Sequence, residues 1–120
     1  MVKVLIVDDA LFIRKTIKMH IEKNGFQVVG EAENGFEAVS KYLECQPDLV
    51  TMDITMPNTN GIESLKKIMS LDPNAKVVMV SAIGQETYIR KAILNGAKSF
   101  IVKPFTEEVI VRTLSRVSDL

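Results

Sequence analysis

The sequence predicts an α/β fold: a doubly wound, five-stranded parallel sheet with helices on both faces. Five short aliphatic runs recur along the 120 residues, and amphipathic helical patterns lie between them. Such strict alternation favours parallel strands joined by right-handed helical crossovers. The length suits one domain with one core, which we assign to residues 1–120 with no effector domain. The predicted strands cover residues 3–7, 28–29, 49–52, 77–80 and 100–102.

The aliphatic runs are nearly continuous rather than alternating, which is typical of strands buried on both faces. Between the first strands, Ile13, Ile17 and Ile21 repeat at intervals of four, and Gly25 supplies a stop for the first helix. Asn34, with a glutamate three residues later, indicates the start of the second helix. Its stripe continues with Ala38, Val39 and either Tyr42 or Leu43 until Pro47.

The last three helices have equally local boundaries. The third begins near Asn60 and stops at Asp72, the fourth ends before Asn95, and the fifth follows a Thr106 cap. The inward positions that we predict are Ile62, Leu65, Ile68 and Met69, then Ile89, Ala92 and Ile93, and finally Val109, Ile110, Val111, Leu114 and Val117.

Composition excludes several classes of function. Fifteen basic and fifteen acidic residues cancel, so we expect binding to neither nucleic acid nor membrane. No apolar run has the length of a membrane helix, and the N-terminus has no signal-peptide pattern, so we predict a cytoplasmic protein. The single Cys45 cannot form an internal disulfide and is interpreted as structural. We expect a monomer, because no helix has an apolar stripe beyond the one that the core needs.

Three aspartates directly follow predicted strands: Asp8 and Asp9 the first, and Asp53 the third. Parallel strands end at one edge of the sheet, and α/β sheets bind ligands there. A helix-capping role would explain only one of Asp8 and Asp9. Carboxylates about 5 Å apart repel by roughly 3 kcal/mol per pair at an effective dielectric constant of 20, so a cation is needed. We predict Mg²⁺ rather than zinc, because no Cys or His lies nearby in the sequence.

Ser81 and Lys103 follow the fourth and fifth strands in the same way, so a hydroxyl and an ammonium should join the carboxylates. Neither common glycine-rich phosphate motif occurs, and the first loop therefore favours a cation over a nucleotide. Together, the motifs resemble the receiver domain of two-component response regulators, over the whole chain, and the single-domain chemotaxis regulators in particular. These motifs are Asp8-Asp9, Asp53 with Met56-Pro57 and Gly61, Ser81-Ala82, and Lys103-Pro104-Phe105.

The resemblance implies a flavodoxin-like fold with strand order 2-1-3-4-5 and assigns roles to the site residues. Asp53 would accept a phosphoryl group from a histidine kinase, with Lys103 as a positive group beside it. Asp9, Asp53 and the backbone carbonyl of Thr55 would ligate Mg²⁺, with Asp8 acting directly or through a water. The phosphorylated Asp53 would draw in Ser81 through a hydrogen bond.

In the family, an aromatic residue at the position of Phe100 then swings inward and changes a partner surface, here roughly residues 85–117. The residues alone favour a permanently buried core aromatic at Phe100, and the resemblance reverses that preference. Many relatives have Thr and Tyr where this chain has Ser81 and Phe100, so its switch would work by burial without a ring hydroxyl. Thr55 and Ile83 would flank the path of attacking water. Because Ile83 cannot orient water, we expect slow self-dephosphorylation and a separate phosphatase.

The leading hypothesis is a phospho-acceptor signalling protein rather than an enzyme. Its expected partners are a chemotaxis histidine kinase and, once it is phosphorylated, a flagellar motor switch protein. A phosphorelay intermediate or a regulator of another enzyme remains open. A Mg²⁺-dependent aspartyl phosphohydrolase of the haloacid dehalogenase type is disfavoured. That type needs a second acid two residues after the nucleophile, where this chain has Thr55.

Overall fold

Strand order and direction place the site. The main strands are β1 (Lys3–Val7), β2 (Gln27–Ala32), β3 (Leu49–Asp53), β6 (Val77–Ser81) and β7 (Ser99–Val102), and a short ladder joins β4 (Thr55–Met56) to β5 (Thr59–Asn60). In this computed structural model, which describes residues 1–56 and 59–120, the main strands are parallel in the order β2-β1-β3-β6-β7. Counted without the short ladder, this is the predicted order 2-1-3-4-5. Pro57, part of the receiver-like motif, lies outside the described residues.

The helices begin and end close to their predicted limits: α1 (Leu11–Glu22), α2 (Gly35–Cys45), α3 (Gly61–Leu71), α4 (Glu86–Leu94) and α5 (Glu107–Ser118). The side chains of Asn34, Asn60 and Thr106 each accept a hydrogen bond from the backbone N–H three residues later. Those contacts satisfy amides that the first helical turn leaves free, and they confirm the predicted starts of α2, α3 and α5. In the described part of the chain, none of the helices has the length and apolarity needed to cross a membrane.

Two apolar cores cover the two faces of the sheet. In β1, Leu5 and Val7 face a core shared with α2, α3 and α4, whereas Val4 and Ile6 face a core shared with α1 and α5. Successive side chains of a strand point to opposite faces, so a strand covered on both sides needs a continuous apolar run. This arrangement explains the pattern that predicted the strands.

The helix surfaces settle one open alternative and correct one prediction. Tyr42 is the buried residue of the α2 stripe, and its hydroxyl donates to Asp72 Oδ2 at 2.6 Å, whereas Leu43 is exposed. Ile93 was predicted to face inward, and this is wrong, because it is 44% exposed. Ala92, also predicted to face inward, is fully buried. Because neighbouring helical residues point about 100° apart, Ile93 is turned away from the core that Ala92 faces.

Candidate functional site

The carboxyl ends of β1 and β3 bring the three predicted aspartates together. Val7 pairs with Met52 in the sheet, so Asp8 and Asp53 leave neighbouring strands at the same level. One carboxylate oxygen from each of Asp8, Asp9 and Asp53 lies within 4.8 Å of the others. Asp8 and Asp53 are buried and Asp9 is exposed, so the cluster opens to solvent on one side.

Lys103 reaches the cluster from β7. Its Nζ lies 3.0 Å from Asp8 Oδ2 and 3.4 Å from Asp53 Oδ1. Its backbone N–H donates to the carbonyl of Ser81 at 2.7 Å, which fixes the start of the side chain beside β6. One ammonium faces three carboxylates, so the ionised cluster keeps a negative charge that a further cation would offset.

Burial is the main cause of the raised pKa of Asp53, which is about 6. The neighbouring charge of Asp8 raises this pKa further, and Lys103 partly opposes the rise. Burial alone would lower the pKa of Lys103, but its contacts with Asp8 and Asp53 outweigh that effect and raise it. The site therefore favours the protonated form of Lys103 and disfavours ionisation of Asp53.

The donor set fits a hard divalent cation. Among the described residues, no hydrogen bond with acceptable geometry reaches the buried Asp8 Oδ2, although the ammonium of Lys103 lies 3.0 Å away. A buried carboxylate oxygen normally has such a partner. Three carboxylates with no sulfur or imidazole suit Mg²⁺ better than zinc. Asp8, Asp9 and Asp53 could hold the ion, and the role of the Thr55 carbonyl stays a prediction.

Gly61 permits the close path of the chain behind Asp53. Its N–H donates to the Ile54 carbonyl at 2.6 Å, and the Ile54 N–H donates to the Val80 carbonyl at 3.1 Å. A Cβ at position 61 would overlap the backbone carbonyl of Asp53. Only glycine fits there without a backbone shift.

Ser81 and Phe100, the two predicted switch residues, differ in their exposure to solvent. Ser81 is fully buried at the end of β6, and its hydroxyl donates to the Ile101 carbonyl at 3.5 Å, a long contact. Phe100 is 44% exposed on the edge strand β7. The alternative of a permanently buried aromatic is therefore wrong for this conformation.

Sequence reasoning missed one contact at the rim of the site. Thr55 and Ile83 are both exposed, and their place beside a water path stays a prediction. Gln85, which had no assigned role, bonds the side chain of Thr55 and the backbone of Ala82. A polar residue directly before a helix, four positions after the end of a strand, was the available signal.

Comparison with known proteins identifies the family. The model described as "Response regulator receiver domain" matches residues 4–115. The chain belongs to the response regulator receiver family. Receiver domains of this kind are signalling proteins of two-component systems rather than classical enzymes, and they bind Mg²⁺ at an acidic pocket.

Several relatives of this receiver domain are chemotaxis proteins. It is 56% identical to the chemotaxis protein CheY of Thermotoga maritima over 116 residues, which cover 97% of each chain. It is 53% identical to CheY of Bacillus subtilis over 114 residues, or 95% of each chain. Among solved structures, the CheX-CheY-BeF3-Mg complex from Borrelia burgdorferi contains a chain with a TM-score of 0.92 and 41% identity, covering 97% of this chain and 88% of that one.

Proposed function

We propose that a histidine kinase phosphorylates Asp53 in a Mg²⁺-dependent reaction and so switches the domain between two partner-binding states. The observation that carries this proposal is the buried carboxylate of Asp53 between two aspartates and the ammonium of Lys103. Phosphoryl transfer needs an oxygen nucleophile and positive charge on the transferred oxygens. Asp53 supplies the oxygen nucleophile, and Lys103 supplies part of the positive charge.

In the proposed step, an Asp53 carboxylate oxygen attacks the phosphorus of a phosphohistidine. The new P–O bond forms as the P–N bond breaks, and its electron pair returns to the imidazole. Asp8, Asp9, Asp53 and the Thr55 carbonyl are the proposed metal ligands. Mg²⁺, when bound, supplies positive charge toward the phosphoryl oxygens. Lys103, within 3.4 Å of the acceptor carboxylate, adds a second positive group.

Phosphorylation gives Asp53 additional negative charge and strong acceptor oxygens. The Ser81 hydroxyl would exchange its long contact with the Ile101 carbonyl for a hydrogen bond to the phosphoryl group. Space vacated by that movement would admit Phe100, which is now half exposed. The partner surface on α4, β7 and α5 would change with it.

The direct test treats the protein with acetyl phosphate and Mg²⁺, followed by intact-mass and peptide mass spectrometry. We expect one added phosphoryl group on Asp53, lost when EDTA removes the metal and absent in Asp53→Asn. Asp119→Asn, a change at an exposed residue at the end of α5, should leave phosphorylation intact. Modification elsewhere, or none in the wild-type protein, would contradict the proposal. Rapid multiple-turnover release of phosphate would favour the phosphohydrolase instead.

The proposed pathway is chemotaxis, with a chemotaxis kinase as donor and a flagellar motor switch protein as target. Support comes from relatives named CheY at 52–56% identity over nearly the full chain. A structural relative was solved with CheX, BeF3 and Mg, so a partner that binds the activated state is also proposed here. The separate phosphatase stays a prediction. The predicted cytoplasmic location stays a prediction.

Partner capture separates the pathways. Immobilised protein with beryllofluoride and Mg²⁺ should retain a motor switch protein from a cell lysate, and the Asp53→Asn variant should not. Selective retention of a phosphotransfer protein or of an enzyme would favour the phosphorelay or enzyme-regulator alternative.

A further inference from the structure

Gln85 joins two loops at the rim of the acidic site. Its Oε1 accepts a hydrogen bond from the Ala82 N–H at 2.7 Å, and its Nε2 donates to Thr55 Oγ1 at 2.8 Å. Both ends of the side-chain amide are therefore engaged. The first contact closes the turn between β6 and α4, and the second ties that turn to the chain that follows Asp53.

Two donors at the end of β6, the Ser81 hydroxyl and the Ala82 N–H, are bound to groups other than the acceptor. Asp53 pairs with Val80 in the sheet, so Ser81 and Ala82 continue β6 beside the acceptor residue. The Ser81 hydroxyl donates to a carbonyl of β7, and the Ala82 N–H donates to Gln85. Neither is directed at Asp53 in this conformation.

We propose that Gln85 is a positioning residue that latches the β6–α4 loop in its resting conformation and so opposes activation. This inference rests on the proposed function. A phosphoryl group on Asp53 would compete for the donors of Ser81 and Ala82. To turn the Ala82 N–H toward it, the bond to Gln85 must break. Because that bond stabilises only the resting state, its loss raises the population of the active state.

Thr55 completes the latch because it holds the other end of the Gln85 amide. Without the Thr55 hydroxyl, Gln85 keeps its bond to Ala82 but loses the anchor that fixes the side chain. A Thr55 variant should therefore weaken the latch less than a Gln85 variant. The hydroxyl should have no effect once the amide is gone, since it acts through Gln85.

The test measures the affinity for beryllofluoride at saturating Mg²⁺ by an NMR titration of backbone amides. Gln85→Met keeps the length of the side chain and removes both hydrogen bonds, so binding should tighten about fivefold, the factor typical of one net hydrogen bond. Thr55→Val should tighten binding about twofold, within the same range of hydrogen-bond energies. Thr87→Val, a change at an exposed threonine in the first turn of α4, should match the wild type.

The double variant decides whether the residues act as one latch. Gln85→Met with Thr55→Val should bind beryllofluoride as Gln85→Met alone does. Unchanged or weaker binding by Gln85→Met, or additive effects in the double variant, would overturn the latch. Equal changes in Mg²⁺ affinity and beryllofluoride affinity would also overturn it, because they would indicate general damage to the site. A wild-type protein that binds Mg²⁺ but no beryllofluoride would overturn the proposed function as well.

Discussion

The acidic site and the region around Phe100 are built on opposite principles. Asp8, Asp53 and Ser81 are at most 5% exposed and lie at the ends of three adjacent strands. Phe100 is 44% exposed and Leu94 85% exposed, on the edge strand and the last turn of α4. The chemical groups are held in place before any reaction, whereas the aromatic side chain has room to move. The proposed switch would need both properties, one for phosphoryl transfer and the other for the response to it.

The two regions also differ in what stabilises them. The acidic site contains like charges in a buried setting. Burial and the charge of Asp8 raise the pKa of Asp53, and Lys103 only partly opposes that rise. In the proposed switch, the apolar side chain of Phe100 would exchange solvent for packing. Changes to charge should therefore produce the largest effects, and changes at the apolar end smaller ones.

Removing the ammonium from the buried end should have the largest effect. In Lys103→Met, Asp8 and Asp53 lose their direct cationic partner, so phosphoryl uptake from acetyl phosphate should slow about 100-fold. The rate is measured by quenched-flow mass spectrometry at saturating Mg²⁺. Lys98→Met, a change at an exposed lysine before β7, should leave the rate unaltered. A similar loss in both variants would show that the role of Lys103 is not local.

Protons should compete with the metal in the buried site. With the pKa of Asp53 near 6, its carboxylate is mostly protonated at pH 5 and mostly ionised at pH 7. Mg²⁺ needs the ionised form, so its affinity should rise about tenfold between these values. Calorimetric titration at several pH values measures this rise. A flat profile would contradict the assignment of Asp53 as a ligand.

The pH dependence of folding stability gives an independent check of the raised pKa of Asp53, and Asp53→Asn is the comparison variant. A folded-state pKa above the ordinary value gives stability that is present below about pH 4 and is lost as the pH rises through about 6. Without metal, Asp53→Asn should therefore be more stable than the wild type above pH 6, and the difference should shrink toward pH 4. Urea unfolding midpoints measure it, and a difference that grows toward acid would refute the sign.

At the solvent edge of the site, Ile83 is 80% exposed and offers no group to orient water. Ile83→Gln should accelerate decay of the phosphorylated protein about fivefold, the effect of one net hydrogen bond to the attacking water. Loss of the phosphorylated mass over time measures the rate. Ile83→Leu is the apolar control and should decay as the wild type does. Equal decay in all three proteins would show that this position does not control water.

The smallest effect is expected at Phe100 itself. A tyrosine there adds a hydroxyl that can bond a partner or the protein surface, so phosphorylation-dependent partner affinity should rise about threefold. Surface plasmon resonance with the captured partner, with and without beryllofluoride, measures it. An affinity identical to that of the wild type would show that the ring acts through burial alone in either form.

Local chemistry made much of the fold and site predictable. Asn34, Asn60 and Thr106 act within four residues of themselves, so their helix starts could be predicted from short segments. The convergence of Asp53 and Lys103 followed from a rule of sheet topology, because Asp53 ends one parallel strand and Lys103 directly follows another. Such features depend on local spacing or on strand direction alone.

Features that depend on loop conformation or on neighbouring packing could not be predicted. The bond from Gln85 to Thr55 joins residues 30 positions apart across two turns. The outward position of Ile93 depends on how α4 is rotated about its axis. Because Ile93 is apolar and adjacent to the buried Ala92, the sequence pattern assigned it wrongly to the inward face. The β4–β5 ladder lies in polar sequence with no strand pattern of its own.

The residues of the proposed site come from positions 8, 9, 53, 81 and 103, and each lies at the end of a strand, or just after one, that must first find its neighbours. A chain still emerging from the ribosome, with Lys103 not yet in place, has aspartates but no completed pocket. Under the proposed function, a chain that stops before Lys103 should therefore fail to build the site that accepts the phosphoryl group.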